Sequence, residues 1–383
     1  MKKKDISEII NFTGEKGFNF NPVSIPIYET SIFSFDDYDS LKQALNHEER
    51  SHIYTRGYNP TVEVLEEKIA ALEGAEKAKL FSSGIAAISA STMAFLKTGD
   101  SVVCVNDCYG WTKTLFNEYL QRFGIEVIFV DGENTEDIIK ATKNNTKLIY
   151  LESPTSFTFK IQNIKEITSF AKRRNIKTVI DNSWATPIFQ NPIEMGVDIV
   201  LHSASKYIGG HSDVVSGIIA GSEEDIDFIF RREFLNIGAI PGPFEAWLLL
   251  RGLRTLQIRM EKHMNSTQKI IPFLKNRSEI KQVIYPYDSS HPQFNLAKKQ
   301  MSGGSGLLSI DLKTSNEEKI RKFVNSLKFF KKAVSWGGYE SLIIPCIVTN
   351  PPDEKKSLVR IHIGLESPEL LIDDLSEALK KLN

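Results

Sequence analysis

A single lysine lies between two short apolar runs near the middle of the chain, and this arrangement constrains the fold more than any other feature. The run Val197–Leu201 and the run Val214–Ala220 are mostly apolar, and the segment between them is His-Ser-Ala-Ser-Lys-Tyr-Ile-Gly-Gly-His-Ser-Asp. Short apolar runs bounded by glycine and polar residues predict two buried strands joined by a tight loop. Because lysine is rarely placed between buried strands, Lys206 is a candidate functional residue.

The chemistry of Lys206 depends on whether the loop removes it from water. Burial lowers the pKa of an amine, and the neutral amine is a nucleophile. Ser203 and Ser205 lie on either side of the lysine and can bond a phosphate, while Gly209 and Gly210 permit a tight backbone path. The alternative is a glycine turn whose lysine simply reaches solvent. These residues alone do not decide between the two interpretations.

The segment from Ser203 to Asp213 resembles the cofactor-lysine signature of the Cys/Met-metabolism family of enzymes that use pyridoxal 5'-phosphate (PLP). The similarity extends from about Tyr54 to Leu365, and one small departure is Ser205, where many members have threonine. The resemblance implies that Lys206 binds PLP covalently. It also implies an α/β fold of the aspartate-aminotransferase-like type (fold type I). Such a chain has a large domain with a mainly parallel seven-stranded sheet and a smaller C-terminal α/β domain.

The length of 383 residues is enough for two domains. Residues 1–50 show no strong periodicity and are expected to be irregular; the resemblance implies an N-terminal arm that reaches a neighbouring subunit. The large cofactor-binding domain is expected over residues 51–242. A linker helix and the small domain are expected over residues 243–383.

Composition and charge argue against several classes of protein. The net charge of −1 gives no reason to expect nucleic acid as a partner, and no apolar run approaches the length of about 20 residues that a membrane helix needs. The N-terminus lacks the apolar region of a signal peptide, so a cytoplasmic location is expected. The three cysteines are too few for a disulfide framework, and no metal site is expected from their spacing.

A loop that carries Tyr54 and Arg56 precedes the first strongly predicted helix. Asn59 is a good N-cap, Pro60 suits the first helical position, and Gly74 is a plausible end. The guanidinium of arginine is well shaped to bind a phosphate. The resemblance implies that the two loop residues contact the PLP phosphate of the adjacent subunit. The alternative is a surface arginine paired with a carboxylate.

A second phosphate-binding element is predicted shortly afterwards. Lys79–Phe81 has the pattern of a short strand, and Ser-Ser-Gly84-Ile85 then begins a helix. Free N–H groups at a helix N-terminus attract anions. The resemblance implies that the backbone of Gly84 and Ile85 binds the PLP phosphate, although many helices without a ligand begin this way.

Strands and helices alternate from Lys79 to Ala220, which predicts a mainly parallel sheet. Ligand sites in such sheets gather at the carboxyl ends of the strands, where this sequence has Tyr109, Glu152, Asp181 and Lys206. The resemblance implies that Tyr109 stacks on the pyridine ring and that Asp181 keeps the ring nitrogen protonated. The alternatives are an ordinary loop tyrosine and an aspartate that starts a turn.

The C-terminal part is predicted to begin with one long helix over 243–274 and to continue with alternating strands and helices. Ser335 and Trp336 lie in a segment that resembles the family's substrate loop. Arg360 is central in an apolar strand, and a buried arginine needs an anionic partner. The resemblance implies that this partner is the substrate α-carboxylate; the alternative is a structural Arg–Asp pair.

Among the family's activities, the sequence resembles most closely the bacterial enzymes that cleave L-cystathionine by β-elimination. The residues behind this interpretation are Trp336, the Ile-His-Ile-Gly-Leu-Glu after Arg360, Trp184, and the segment around Ser156. The expected products are homocysteine, pyruvate and ammonia, with Lys206, Tyr109 and Tyr54 as catalytic residues. Tyr54 is also expected to bind the substrate.

Two alternatives to β-elimination remain open. One is a γ-acting relative, namely a cystathionine or methionine γ-lyase or a γ-synthase; Trp111, where a smaller residue is usual, leaves the pocket size undecided. The other is a regulatory protein that binds PLP without turnover. The expected partners are a small sulfur amino acid and further copies of this chain, in a homotetramer built from dimers with shared active sites.

Overall fold

The computed structural model describes residues 5–349 and 351–382, and its strands form two sheets. The strands are β1 Lys77–Phe81, β2 Ser101–Val105, β3 Glu126–Val130, β4 Thr146–Glu152, β5 Lys177–Asp181, β6 Ile199–His202, β7 Gly217–Gly221, β8 Ile280–Ile284, β9 Leu307–Leu312, β10 Lys331–Lys332, β11 Leu342–Pro345 and β12 Leu358–His362.

Fifteen α-helices connect and cover these strands within the described residues, together with single turns of other helical pitch. The helices are α1 Ile6–Phe12, α2 Tyr38–Asn46, α3 Pro60–Glu73, α4 Gly84–Met93, α5 Gly110–Thr114, α6 Thr135–Ala141, α7 Ile164–Arg173, α8 Thr186–Phe189, α9 Glu223–Ile229, α10 Leu235–Ile237, α11 Pro243–Leu253, α12 Leu256–Lys275, α13 Phe294–Gln300, α14 Glu317–Ser326 and α15 Pro368–Leu379.

The larger sheet has seven strands in the order β1-β7-β6-β5-β4-β2-β3. Strand β7 runs antiparallel to both of its neighbours, and every other pair in the sheet is parallel. This arrangement confirms the predicted seven-stranded, mainly parallel sheet. Since β6 and β7 are adjacent and antiparallel, the loop that carries Lys206 returns along the edge at which the parallel strands end.

The smaller sheet has five strands in the order β10-β11-β12-β9-β8. Only the β10–β11 pair is parallel. Strand β12 carries Arg360 and is central, with hydrogen-bonded partners on both sides. The second, smaller sheet of the predicted fold is therefore present, while the residue boundaries predicted for the domains remain a prediction.

Helix α3 begins and ends where the sequence predicts. The side chain of Asn59 accepts a hydrogen bond from the backbone N–H of Thr61 at 3.0 Å, and Pro60 is the first helical residue. Gly74 ends the helix with a φ of +70°, a conformation that suits glycine. The local sequence therefore places the loop that carries Tyr54 and Arg56 directly before a firmly capped helix.

The first 50 residues are more regular than predicted, because they include α1 and α2. Ile9 and Ile10 of α1 are buried against the core. The amine of Lys68 on α3 donates to their carbonyl oxygens at 3.2 and 2.8 Å. Helix α1 therefore packs on its own chain, and tertiary contacts supply the stability that its short sequence lacks.

The predicted long helix over 243–274 is two helices, α11 and α12, with a break at Arg254–Thr255. Gly252 packs closely on the lysine loop, since a Cβ there would lie 2.2 Å from the carbonyl oxygen of Gly209. The guanidinium of Arg259 donates to the carbonyl oxygens of Gly252 and Tyr207, both at 2.7 Å. Arg259 thus binds a carbonyl oxygen next to the break, and it ties α12 to the residue after Lys206.

Two large apolar clusters lie against the sheets. One surrounds the strands of the large sheet, and the other joins the small sheet with α3, α11, α12 and α15. Cys104 lies in β2 and is fully buried, as expected for a small core residue. No helix in the described part of the chain is both long and apolar enough to cross a lipid bilayer.

Candidate active site

The carboxyl ends of the parallel strands bring the predicted residues Asp181 and Lys206 to one edge of the large sheet. Glu152 and Asp181 are the last residues of β4 and β5 and are paired across the two strands. Tyr109 follows β2, and its backbone N–H donates to Glu152 Oε2 at 2.7 Å. Parallel topology therefore assembles these side chains, although they are far apart in the sequence.

The amine of Lys206 is directed at a loop of the small-sheet region. Its Nζ donates to the Ser335 hydroxyl and lies 5.7 Å from the centroid of the Trp336 ring. Burial, and then the nearby charge of Arg360, lowers the pKa of Lys206 to about 8, while Asp181 opposes this shift. A lysine with this pKa is neutral far more often at pH 7 than an ordinary lysine.

The loop that carries Ser335 and Trp336 is held in an unusual conformation. Ser335 has a φ of +74° and Gly337 a φ of +90°. A Cβ at Gly337 would lie 3.0 Å from the Cα of Lys206, so only glycine allows this close approach. His362 Nε2 donates to the carbonyl oxygen of Gly338 at 3.1 Å and ties the loop to β12.

Arg360 projects from the central strand β12 toward the same loop. Its Nη2 donates to the Ser335 carbonyl oxygen at 2.9 Å, and its Cζ lies 5.0 Å from the ring centroid of Phe157. Burial lowers the pKa of Arg360 to about 10. No carboxylate within the described residues forms an ion pair with Arg360, so most of its five N–H donors remain free for an anion.

Glu152 and Asp181 are two carboxyl groups on adjacent buried strand ends. Burial, followed by the charge of Asp181, raises the pKa of Glu152 to about 8. Burial also raises the pKa of Asp181, although hydrogen bonds from Ser183 and the charges of His202 and Lys206 oppose the shift. Burial therefore favours the neutral form of both carboxyl groups, and a cationic ligand atom placed beside Asp181 would favour its ionised form.

Three of the predicted phosphate-binding residues, Ser203, Gly84 and Ile85, lie at the N-terminus of α4. A Cβ at Gly84 would lie 3.0 Å from Ser203 Oγ, so the lysine loop touches the first turn of this helix. Ile85 follows in that turn, and the first backbone N–H groups of a helix have no partner within it. The Ser205 hydroxyl, in contrast, donates to the Ser216 carbonyl oxygen at 3.1 Å and accepts from its N–H at 2.8 Å.

Tyr54 and Arg56 lie on the chain surface. The Cζ of Arg56 lies 5.4 Å from the ring centroid of Tyr54, and Tyr54 forms an isolated backbone bridge with Ile32. Within the described chain, neither side chain has a hydrogen bond or ion pair that joins it to the group around Lys206. Their predicted contact with the cofactor of another subunit remains a prediction.

Two aromatic residues follow β2 in sequence. The side chain of Tyr109 is 44% exposed, and burial, together with the charges of Asp181 and Glu152, raises its pKa. Its phenol is therefore protonated at neutral pH, as a proton donor must be. Trp111 is 62% exposed, so it does not fill the space beside Lys206 within this chain.

Trp184 lies in the core, a position that the sequence does not indicate. Its side chain is only 4% exposed, and its Nε1 donates to the Leu307 carbonyl oxygen at 3.0 Å. The ring packs near Phe159 and Tyr285. Trp184 therefore connects the two sheet regions and gives no information about which carbon–sulfur bond the site would cleave.

Two residues at the site were not predicted as functional from the sequence. Glu152 ends a predicted strand, and this position is the sequence signal that points to the site. Phe157 contacts Arg360, and no sequence signal indicates this contact because the loop conformation depends on tertiary hydrogen bonds.

Comparison with known proteins gives consistent matches over nearly the whole chain. The model of the family described as Cys/Met metabolism PLP-dependent enzyme matches residues 7–380. L-methionine gamma-lyase from Fusobacterium nucleatum is 39% identical, and the match covers 100% of both chains. Cystathionine beta-lyase from Lactococcus lactis subsp. cremoris is 41% identical over 94% of each chain. The crystal structure of metB from Corynebacterium glutamicum matches with a TM-score of 0.92 and 36% identity over 99% of each chain.

Proposed function

Because the chain belongs to the PLP-dependent enzymes of Cys/Met metabolism and is a PLP-dependent lyase of that family, we propose that it catalyses β-elimination of L-cystathionine. The products would be homocysteine, pyruvate and ammonia. The observation that carries the proposal is the joint position of Lys206 and Arg360 on Ser335. The amine of Lys206 donates to the Ser335 hydroxyl, and the guanidinium of Arg360 donates to the Ser335 carbonyl oxygen.

The residues around Lys206 fit PLP. The first turn of α4 and the adjacent Ser203 provide N–H and hydroxyl donors for a phosphate, and Asp181 is a buried carboxyl group for a protonated ring nitrogen. Tyr109 presents a partly exposed aromatic ring on the same side of the sheet. When bound, PLP supplies an electron-accepting ring that stabilises negative charge on the substrate Cα.

The roles we propose for the chain's own groups follow from their protonation states. Arg360 would bind the α-carboxylate of the substrate through its free N–H donors. The Lys206 amine, with its lowered pKa, would take the proton from Cα. Tyr109 or Lys206 would protonate the leaving sulfur, since the raised pKa of Tyr109 keeps its phenol protonated. Tyr54 from a neighbouring subunit would orient the incoming amine or remove its proton.

Trp336 supports β-elimination over the longer γ path. Its ring lies 5.7 Å from Lys206 Nζ and limits the space around that amine. A γ path needs a second proton removal, at Cβ, from the same confined region. The γ activity is the second candidate, because the Fusobacterium nucleatum relative named L-methionine gamma-lyase matches along its full length.

The exposure of Tyr54 and Arg56 supports a site completed by a second copy of this chain. We propose that two copies of this chain form a dimer with shared active sites, and that two such dimers form a tetramer. A cytoplasmic location is also proposed, in keeping with a small amino acid as substrate.

The experiment that tests the function identifies the keto acid formed from L-cystathionine by the purified PLP-loaded protein. Pyruvate together with homocysteine is the expected result. 2-Oxobutyrate together with cysteine would replace the proposal by γ-elimination. Bound PLP with no turnover of any sulfur amino acid would favour the regulatory alternative. Lys206→Ala is the control, and we expect it to abolish both elimination and the absorbance of covalently bound PLP.

A further inference from the structure

Phe157 has a backbone conformation that bulky residues rarely adopt. Its φ is +61°, in the left-handed region that favours glycine. Residues in such conformations persist only where their surroundings hold them, and they are concentrated at ligand sites.

Hydrogen bonds fix the backbone and side chains on both sides of Phe157. The Ser156 N–H donates to the Asp107 carbonyl oxygen at 2.9 Å, and the Ser156 hydroxyl donates to Glu152 Oε1 at 2.8 Å. On the other side, the Thr158 hydroxyl donates to Asp107 Oδ2 at 2.8 Å. The loop is thus anchored to the ends of β2 and β4, and this anchoring maintains the conformation of Phe157.

The ring of Phe157 is directed at Arg360. The guanidinium carbon lies 5.0 Å from the ring centroid, within the range of a cation–π interaction. The only hydrogen bond that the described residues provide to this guanidinium is from its Nη2 to the Ser335 carbonyl oxygen. One bond leaves the guanidinium plane free to turn, so an aromatic ring against it restricts its orientation.

We propose that Phe157 is a positioning residue for the substrate α-carboxylate. Its ring holds the Arg360 guanidinium in the orientation that presents two parallel N–H groups to a carboxylate. This inference rests on the proposed role of Arg360. Because Phe157 acts through Arg360 and does not touch the reacting atoms, its loss affects the binding of the carboxylate and leaves the chemical step intact.

Three variants distinguish the effect of the Phe157 ring from the effect of the Phe157 backbone conformation. Phe157→Gly removes the ring and suits the positive φ; Phe157→Leu keeps bulk without a π system, and Phe157→Tyr keeps the ring. We expect KM for L-cystathionine to rise about fivefold to tenfold in the Gly and Leu variants, with kcat within about twofold, and to stay near wild type in the Tyr variant.

Asn175→Gly is the matched control for the backbone change. Asn175 is exposed after α7 and has a φ of +52°, so the substitution relaxes a similar conformation far from Arg360. We expect no change in KM or kcat. A rise in KM in this control equal to that in Phe157→Gly would overturn the assignment to the ring.

A second measurement detects the contact between Phe157 and Arg360 and does not depend on turnover. The holoenzyme is treated with phenylglyoxal, which reacts with arginine, and modification of the Arg360 peptide is followed by mass spectrometry. We expect faster modification in Phe157→Gly and Phe157→Leu than in wild type or Phe157→Tyr.

The two measurements distinguish the possible failures. Unchanged KM together with unchanged Arg360 modification would refute the role of Phe157, as would a fall in kcat alone. If wild type turns over no sulfur amino acid, the proposed function fails. Ring-dependent protection of Arg360 would then still support the contact.

Discussion

At the scale of single residues, the site depends on charges that are placed close together and away from water. Lys206 lies near the positive Arg360 and the acidic Asp181, and burial with the charge of Arg360 outweighs the effect of Asp181. The result is an amine that is neutral often enough to act as a base and nucleophile. The sequence predicted Lys206, Asp181 and Arg360 as site residues, but the size of these electrostatic effects depends on distances and burial that only the folded chain has.

The lowered pKa of Lys206 predicts the pH at which its amine becomes reactive. In the PLP-free protein, acetylation of Lys206 by acetic anhydride should rise with pH with a midpoint near 8, whereas an ordinary lysine has a pKa of 10.5. Below this midpoint the amine is protonated and unreactive. Mass spectrometry of the Lys206 peptide across the pH range measures the midpoint.

Arg360→Gln provides the control for the cause of this shift. Because the arginine charge disfavours the lysine ammonium, its removal should raise the pKa of Lys206 and move the midpoint to higher pH. An unchanged midpoint would mean that burial alone lowers the pKa of Lys206.

At the scale of elements, capped helices and buried strands follow from local sequence, while contacts between loops do not. Helix α3 begins at its predicted N-cap and ends at its predicted glycine.

The segment Gly303–Gly306 has the composition of a flexible turn, yet it is almost entirely buried. A Cβ at Gly304 would lie 2.3 Å from the Tyr285 hydroxyl. Glycine permits both flexibility and close packing, so composition alone could not decide between them.

The loop that carries Ser335 and Trp336 gives a prediction at this scale. Gly337→Ala should displace the loop from Lys206, because the added methyl group would meet the lysine backbone at 3.0 Å and the φ is +90°. We expect kcat/KM to fall about tenfold or more and the melting temperature to fall. Steady-state kinetics and thermal unfolding measure the two effects.

Gly99→Ala is the matched control for the loop prediction. Its φ is +89°, and a Cβ there would meet no atom within 4 Å. This variant should lose stability of order 1 kcal/mol from the positive φ alone and keep full activity. Equal losses of activity in both variants would contradict a specific contact between Gly337 and Lys206.

At the scale of the whole molecule, two sheet regions meet at the site, and the surface residues Tyr54 and Arg56 have no hydrogen bond or ion pair in the described chain with the group around Lys206. Trp184 joins the regions through its hydrogen bond to Leu307. Tyr54 and Arg56 remain on the surface. The first observation concerns stability, and the second concerns assembly, so each leads to a separate prediction.

Trp184→Phe should destabilise the fold without changing the reaction. The variant loses a buried hydrogen bond and leaves a small gap, which costs about 1–3 kcal/mol in the free energy of unfolding. Denaturant unfolding measures the loss. The ratio of pyruvate to 2-oxobutyrate should equal that of wild type, and a changed ratio would show that this tryptophan influences the choice of bond.

Arg56→Ala should weaken retention of PLP through a subunit interface. Removal of a guanidinium from a phosphate site typically costs about 1.5–3 kcal/mol, so at least about tenfold weaker retention is expected. The PLP absorbance that remains with the protein after gel filtration measures this retention. Arg50→Ala, which removes a surface arginine paired with Glu223 at 3.1 Å, is the matched control. A fully active monomer would contradict a site shared between subunits.

Sequence patterns predicted the alternation of strands and helices from Lys79 to Ala220, the ends of α3, and the positions of Tyr109, Asp181 and Lys206 near strand ends. These features follow from periodicity and capping, which act over a few neighbouring residues. Three features depend on tertiary contacts instead, namely the break between α11 and α12, the burial of Trp184 and the contact of Phe157 with Arg360. Each of these depends on atoms brought together from distant parts of the chain, and short-range patterns carry no information about such contacts.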